Sequence, residues 1–289
     1  MLDRLLGNYM VTSGVLSKEQ LSEAYHVQDI KRAKLGVIAV SEKLMTIAQA
    51  EQVNALQATV DKRFGDIAIE KGYLTDAQVG RLLELQDNSY LVFMQALIDH
   101  EFVTLEKIRE AEVEYQRING LTETDMIRLK EGDVANIIPI FLGTDNALIK
   151  EMFSMAVKNL YRLVDNHVYV GKAYRTTSVR DEVMGSQRFH GDEKALVAVS
   201  GKYEDVKKMA ISYTKEEFIE TEEDALDAIC ELINCVNGLY ASEKSRNSIV
   251  IELDPPNFST TYSEKTAAEI YVLPVFISGG EVKLFIMPE

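Results

Sequence analysis

The chain has 289 residues, 46% hydrophobic and 27% charged, which suits two packed cores and excludes a disordered chain. Its formal charge of −15, from 46 acids against 31 bases, excludes nucleic acid as a bulk partner, because counterion displacement needs a basic face. The same charge argues against an anionic membrane surface.

No apolar run approaches the ~18 residues of a membrane span, so no membrane insertion is expected. The opening MLDRLLGNYMVTSG carries acid and base and no secretory apolar stretch, and a cytoplasmic location is expected. Cys230 and Cys235 fall in one helical segment, about 140° apart around its axis, and are expected to stay unbridged. His26, His100, His167 and His190 show no ligand spacing, so no metal site is expected.

In chain order, the first half is a repeat. Ser17, Thr46, Thr75 and Thr104 lie 29 residues apart, each after an apolar pair. Gly7, Gly36 and Gly65 keep that period, as do Gln28, Gln57 and Gln86. In the fourth copy Met94 and Tyr115 take the glycine and glutamine places. Ser17, Thr46 and Thr75 read as helix N-caps. Gln20, Gln49 and Gln78, three residues on, complete capping boxes. Val79, Leu82, Leu83 and Gln86 fall on one helical face. One such unit cannot bury its face alone, so an all-α repeat domain is expected over 1–117.

From Arg63 to Gln86 the chain reads RFGDIAIEKGYLTDAQVGRLLELQ. This resembles the 24-residue motif of the MshE-type N-terminal domain of type II secretion and pilus ATPases. Lys34–Gln57 has the same length, and residues 58–62 form a five-residue spacer between the two. The resemblance implies cyclic-di-GMP as an effector, held by Lys34, Leu35, Gly36, Gln57, Arg63, Phe64, Gly65 and Gln86. Guanidinium groups suit such a ligand, since they fork onto phosphate and stack on purines. Basic residues gather at the motif starts: Lys31, Arg32 and Lys34, then Lys62 and Arg63. Only Arg63 keeps the arginine, however, and lysine is no equivalent at a stacked site. The other reading is that the glycines and glutamines serve packing and turns in a docking domain.

Residues 118–145 break the period and read as a joint, with turn signals at Asn119-Gly120 and Gly132-Asp133 and helical pieces at 126–130 and 134–141. From 146 an α+β domain is expected. Its elements are a helix over 146–165, a strand over 168–174, a strand and turn over 195–201 and a helix over 204–213. A long helix over 222–244 and strands over 248–253, 269–277 and 282–287 follow. Gly279-Gly280 marks a hairpin.

The long helix is the informative one. Leu226, Ile229, Ile233, Val236 and Tyr240 form a core stripe, while Asp227, Glu231, Asn234 and Gly238 share another face. The stretch DALDAICELINCVNGLYASEKS, with Pro255-Pro256 about twenty residues later, resembles the CheC/CheX-type chemotaxis phosphatase family. That family's motif is Asp/Ser-x3-Glu-x2-Asn with a downstream proline; here it reads Asp227, Glu231, Asn234 and Pro256. The single motif helix is similar to the CheX arrangement.

The resemblance implies hydrolysis of the aspartyl-phosphate of a CheY-like response regulator. Mg²⁺ would be carried by that partner and no cofactor by this chain. Asn234 would position the water, Glu231 would pair with the regulator's phosphate-side lysine, and Asp227, Gly238 and Pro256 would support them. A homodimer is a further arrangement the family suggests. Against this, eight acids lie between Glu216 and Glu231 with no base before Lys244. Such a run opposes docking onto an acidic pocket, or else it reads as a solvated helix start. The rival class is a non-catalytic adaptor that binds cyclic-di-GMP or a secretion-type protein through the repeats.

Overall fold

Four helices begin 29 residues apart because the capping residues do. α1 (Leu2–Thr12) and α2 (Lys18–Gln28) form the first pair, and α3 (Leu35–Ser41) and α4 (Ile47–Gln57) the second. α5 (Phe64–Glu70) with α6 (Asp76–Glu84), and α7 (Ser89–Asp99) with α8 (Leu105–Asn119), complete the series. The computed structural model describes residues 1–28, 32–60, 62–215 and 219–289, without the side chains of 262–267. Lys31, Glu216 and Glu217 lie outside that description.

All three expected capping boxes are present. The N–H of Gln20, Gln49 and Gln78 donates to Ser17, Thr46 and Thr75 hydroxyls at 3.1, 3.2 and 3.3 Å, and each glutamine side chain accepts the cap's N–H in return. Thr104 caps Lys107 N–H, but Lys107 cannot return the bond. Leu82 is buried as expected, whereas Leu83 is 50% exposed, because one residue's rotation carries it off the packed stripe.

The periodic glycines sit where helices cross. A Cβ on Gly65 would lie 2.8 Å from Val79 Cγ1 of its own pair. One on Gly7 would lie 2.7 Å from Leu21 Cδ1, and one on Gly36 would lie 3.1 Å from the Phe64 ring. Close approach therefore explains the glycine period.

The described residues divide into two compact units, Met1–Gly132 and Asp133–Glu289. The segment read as a joint holds two helices. α9 (Glu123–Glu131) belongs to the first unit and α10 (Val134–Leu142) to the second.

In the second unit α11 (Ala147–Leu163), capped by Asn146, leads into the sheet. The strands are β1 (Tyr169–Val170), β2 (Tyr174–Asp181), β3 (Val183–Gly191) and β4 (Ala195–Gly201). After α12 (Tyr203–Thr214) and α13 (Glu222–Ser245) come β5 (Ile251–Leu253), β6 (Asn257–Ser259), β7 (Tyr262–Ile277) and β8 (Gly280–Pro288). The sheet is antiparallel, in the order β1-β7-β8-β4-β3-β5, with β2 added on β7 and β6 on β3. α13 packs on β3 and against α12.

Several sequence expectations change here. The strand read over 168–174 is only two residues long, and β2 and β3 follow it unannounced. β2 is largely exposed and polar, and the inward places of β3 include Gly185 and Gln187, so neither shows apolar alternation. The strand expected over 248–253 shortens to β5, and β6 is additional. β7 starts earlier than the expected 269, and the β7–β8 loop is Ser278-Gly279 with Gly279 at φ +84. Gly65→Leu is expected to lower the stability of the first unit by about 1–3 kcal/mol through overpacking against Val79. Urea unfolding of the chain measures this, and an unchanged midpoint would contradict the crossing role.

Candidate functional site

α13 begins on a capping box. Asp224 N–H donates to the Thr221 hydroxyl at 3.1 Å, and Thr221 N–H donates to the Asp224 carboxylate at 2.9 Å. Donation from Thr221, first by its side chain and then by its main chain, holds the Asp224 carboxyl below the usual range. Glu222, Glu223 and Asp224 fill the first turn, where acids offset the positive end of the helix dipole. Three of the eight acids in the run therefore belong to the helix start.

The expected stripe of Leu226, Ile229, Ile233, Val236 and Tyr240 is buried. Each such burial stabilises by about 1.5–3 kcal/mol. It also fixes the helix's rotation, which leaves Asp227, Glu231 and Asn234 exposed on one face. Glu231 makes no ion pair or hydrogen bond with the described residues.

β3 forms the floor. Its alternate residues Gly185, Gln187 and Phe189 meet successive turns of α13. A Cβ on Gly185 would lie 2.8 Å from Ile229 Cγ2, so the helix rests close on the strand. The Phe189 ring lies 5.8 Å from the Tyr240 ring. Between these contacts, buried Gln187 donates from Nε2 to Asn234 Oδ1 at 2.7 Å and to the Asp254 carbonyl at 2.8 Å. Its Oε1 accepts from Asn237 Nδ2 at 2.9 Å. Asp254 directly precedes Pro255-Pro256, so Gln187 links Asn234 to the proline-bearing segment, although Pro256 itself is exposed.

Around this face, Tyr213 of α12 lies near Cys235 and Glu231, and burial, then those two groups, pushes its hydroxyl above the ordinary value. Cys230 is buried and Cys235 half-buried, both as free thiols. A Cβ on Gly238 would meet nothing within 4 Å, and Leu239 beside it is 43% exposed. Among the described residues, no group of three or more His, Cys, Asp or Glu could hold a metal ion. No helix among them is long and apolar enough to cross a membrane.

The structure thus joins Asn234 to the Asp254 carbonyl through Gln187 and sets Glu231, Asp227 and Gly238 on the same helix. Sequence reasoning missed Gln187 and Asn237. Asn237 lies three residues after Asn234, a spacing that puts both amides near one strand. Gln187 carries no such local signal.

The residues expected to hold a dinucleotide are largely engaged within the fold. Gly36, Phe64 and Gly65 are buried, and Leu35 is half-buried. Lys34 Nζ lies 2.7 Å from Asp99, Gln57 donates to the Lys62 carbonyl at 3.3 Å, and Gln86 donates to the Ala33 carbonyl at 3.0 Å. Arg63 is exposed and makes no ion pair with the described residues.

Residues 183–276 match the family model described as chemotaxis phosphatase CheX, and this part of the chain is a CheX domain. The match runs from the first residue of β3 into β7 and includes α13. Among solved structures, a CheC-like superfamily protein from Shewanella sp. PV-4 is similar, with 16% identity and a TM-score of 0.44, over 50% of this chain and 99% of that one. Chemotaxis protein CheX from Desulfovibrio desulfuricans aligns with 13% identity and a TM-score of 0.43, over 49% of this chain and 99% of that one. The CheX–CheY–BeF3–Mg²⁺ complex from Borrelia burgdorferi aligns with 16% identity and a TM-score of 0.41, over 48% and 96%. No curated protein matches the chain.

Gly238→Ala is expected to raise the second unit's stability by about 1 kcal/mol, because the place is open and mid-helix glycine is costly. Thermal unfolding checks this; a lower midpoint would contradict the open space above Gly238.

Proposed function

We propose that the second unit is a phosphatase for the aspartyl-phosphate of a CheY-like response regulator, with Asn234 and Glu231 as its working pair. The observation that carries this reading is the exposed Glu231–Asn234 face on a buried helix, with Asn234 held from beneath by Gln187. The family model over residues 183–276 supports it.

The chemistry asks little of the enzyme. The water oxygen forms a bond to phosphorus, and the bond from phosphorus to the aspartyl oxygen breaks. The aspartate leaves as carboxylate with the electron pair, and the water's two protons stay on the phosphate as H2PO4−, one of them then passing to solvent. The regulator brings Mg²⁺ with its phosphoryl group, so this chain needs no metal of its own. Asn234 contributes position and polarity without adding negative charge beside the phosphoryl group. Glu231 is suited to a cation on the regulator, because it has no ion-pair partner among the described residues. That pairing would draw one acidic residue of this face toward a basic rim, which answers the repulsion expected from the acidic run. Gly238, one turn beyond Asn234, leaves clearance for the partner's surface.

The test is the decay of a phosphorylated CheY-type regulator with and without the full chain. Asn234→Ala should slow the chain's contribution on the order of 10²-fold. Glu231→Ala should raise the half-saturating regulator concentration more than it lowers the maximal rate. Decay that Asn234→Ala leaves unchanged would sink the catalytic reading and favour a non-catalytic adaptor. Cyclic-di-GMP binding through the repeats remains an expectation of the sequence resemblance; calorimetric titration of the full chain against Arg63→Ala reads it directly, and absence of heat with the unmodified chain would remove it.

A further inference from the structure

We infer that Gln187 is a positioning residue that fixes Asn234 with its carbonyl inward and its NH2 group toward solvent. The consequence for catalysis rests on the phosphatase reading; the geometry does not. One group settles the orientation, because the main-chain carbonyl of Asp254 can only accept a hydrogen bond. The Gln187 atom 2.8 Å from it is therefore the side-chain nitrogen. That same nitrogen lies 2.7 Å from Asn234, so the atom it meets there is Oδ1. Gln187 Oε1 faces the other way and accepts from Asn237 Nδ2 at 2.9 Å. What remains outward on Asn234 is Nδ2, which has no hydrogen-bond partner among the described residues.

The arrangement costs stability, which separates it from ordinary core packing. Gln187 is 2% exposed and Asn237 0%. Asn237 Oδ1 is buried with no hydrogen-bond partner among the described residues. Turning Asn237 over to satisfy that oxygen would set it against Gln187 Oε1, so the network keeps its orphan. Two apolar side chains would fill the same space without that orphan, leaving the carbonyl of half-buried Asp254 to water. A helix and strand that only needed to pack would have no use for this chain of amides. Its one exposed end is Asn234.

The group offered to the regulator is therefore an uncharged pair of N–H donors. It suits an oxygen lone pair, on the attacking water or on a phosphoryl oxygen, and it cannot act as a general base. Asn234 then works by donation, and its aim depends on a buried residue of β3.

Two altered chains test this. In Gln187→Glu burial favours the neutral acid, whose single O–H serves the Asp254 carbonyl and whose oxygens only accept from Asn234 and Asn237, so Asn234 should turn its Nδ2 inward. In the pair Gln187→Met with Asn237→Leu the network is replaced by apolar groups. Decay of a phosphorylated CheY-type regulator gives the maximal rate and half-saturating concentration. ¹⁵N NMR of the full chain follows the Asn234 and Gln187 side-chain amides. In the unmodified chain the Gln187 Nε2 protons should be protected from exchange and the Asn234 Nδ2 protons should exchange fast. In Gln187→Glu the Asn234 protons should gain protection. Both altered chains should lose at least about tenfold in maximal rate, roughly the worth of one net hydrogen bond, with little change in half-saturation. The apolar pair should still unfold in one cooperative transition, which separates a lost rate from a lost fold. Fast exchange at Gln187 in the unmodified chain, or full rates in both altered chains, would overturn the inference. Should the unmodified chain leave regulator decay unaltered, the phosphatase reading falls, and the exchange pattern still decides the orientation.

Discussion

The close seat of α13 on β3 is the constraint on which the second unit's site depends. It exists because Gly185 has no side chain to hold Ile229 away. A helix packed on a sheet with large residues at the contact would stand farther off, and Gln187 could not then reach both Asn234 and Asn237 from the strand. The buried stripe from Leu226 to Tyr240 fixes the helix's rotation, and Gly185 fixes its height. Together they turn a run of polar residues into a face with a defined direction.

The first unit uses glycine in the same way for a different end. Gly7 and Gly65 let each short helix lie against its own capped partner, and Gly36 admits the Phe64 ring of the next pair. Capping boxes start α2, α4 and α6, and the Thr104 cap alone starts α8, at a fixed place in the repeat. Periodicity here records how helices cross and begin. It does not by itself describe a ligand site, and the glutamines that share the period donate to Ser89, Lys62 and Ala33 carbonyls within the chain.

What was legible in the sequence follows from these physical differences. The caps, the core stripe of α13 and the Glu231–Asn234 face are all encoded within one helix, where spacing translates directly into direction. β3 was not legible, because its inward places must be empty at Gly185 and polar at Gln187. Those are the features that let it serve the site, and they erase the apolar alternation that announces a strand. Gln187 lies 47 residues from Asn234 and meets it only through the β3–α13 contact. The acidic run was visible as charge, but its division between a capped helix start and the exposed face required the fold.

The proposed phosphatase activity requires the Glu231–Asn234 face of α13 to meet the phosphoryl site of a response regulator. The most direct measurement is NMR mapping of the full chain titrated with a beryllofluoride-loaded CheY-type regulator. Resonances of Glu231, Asn234, Cys235 and Gly238 are expected to shift first and farthest, with the Gln187 side-chain amide following. Shifts confined to residues of the first unit, with α13 unmoved at saturation, would contradict it.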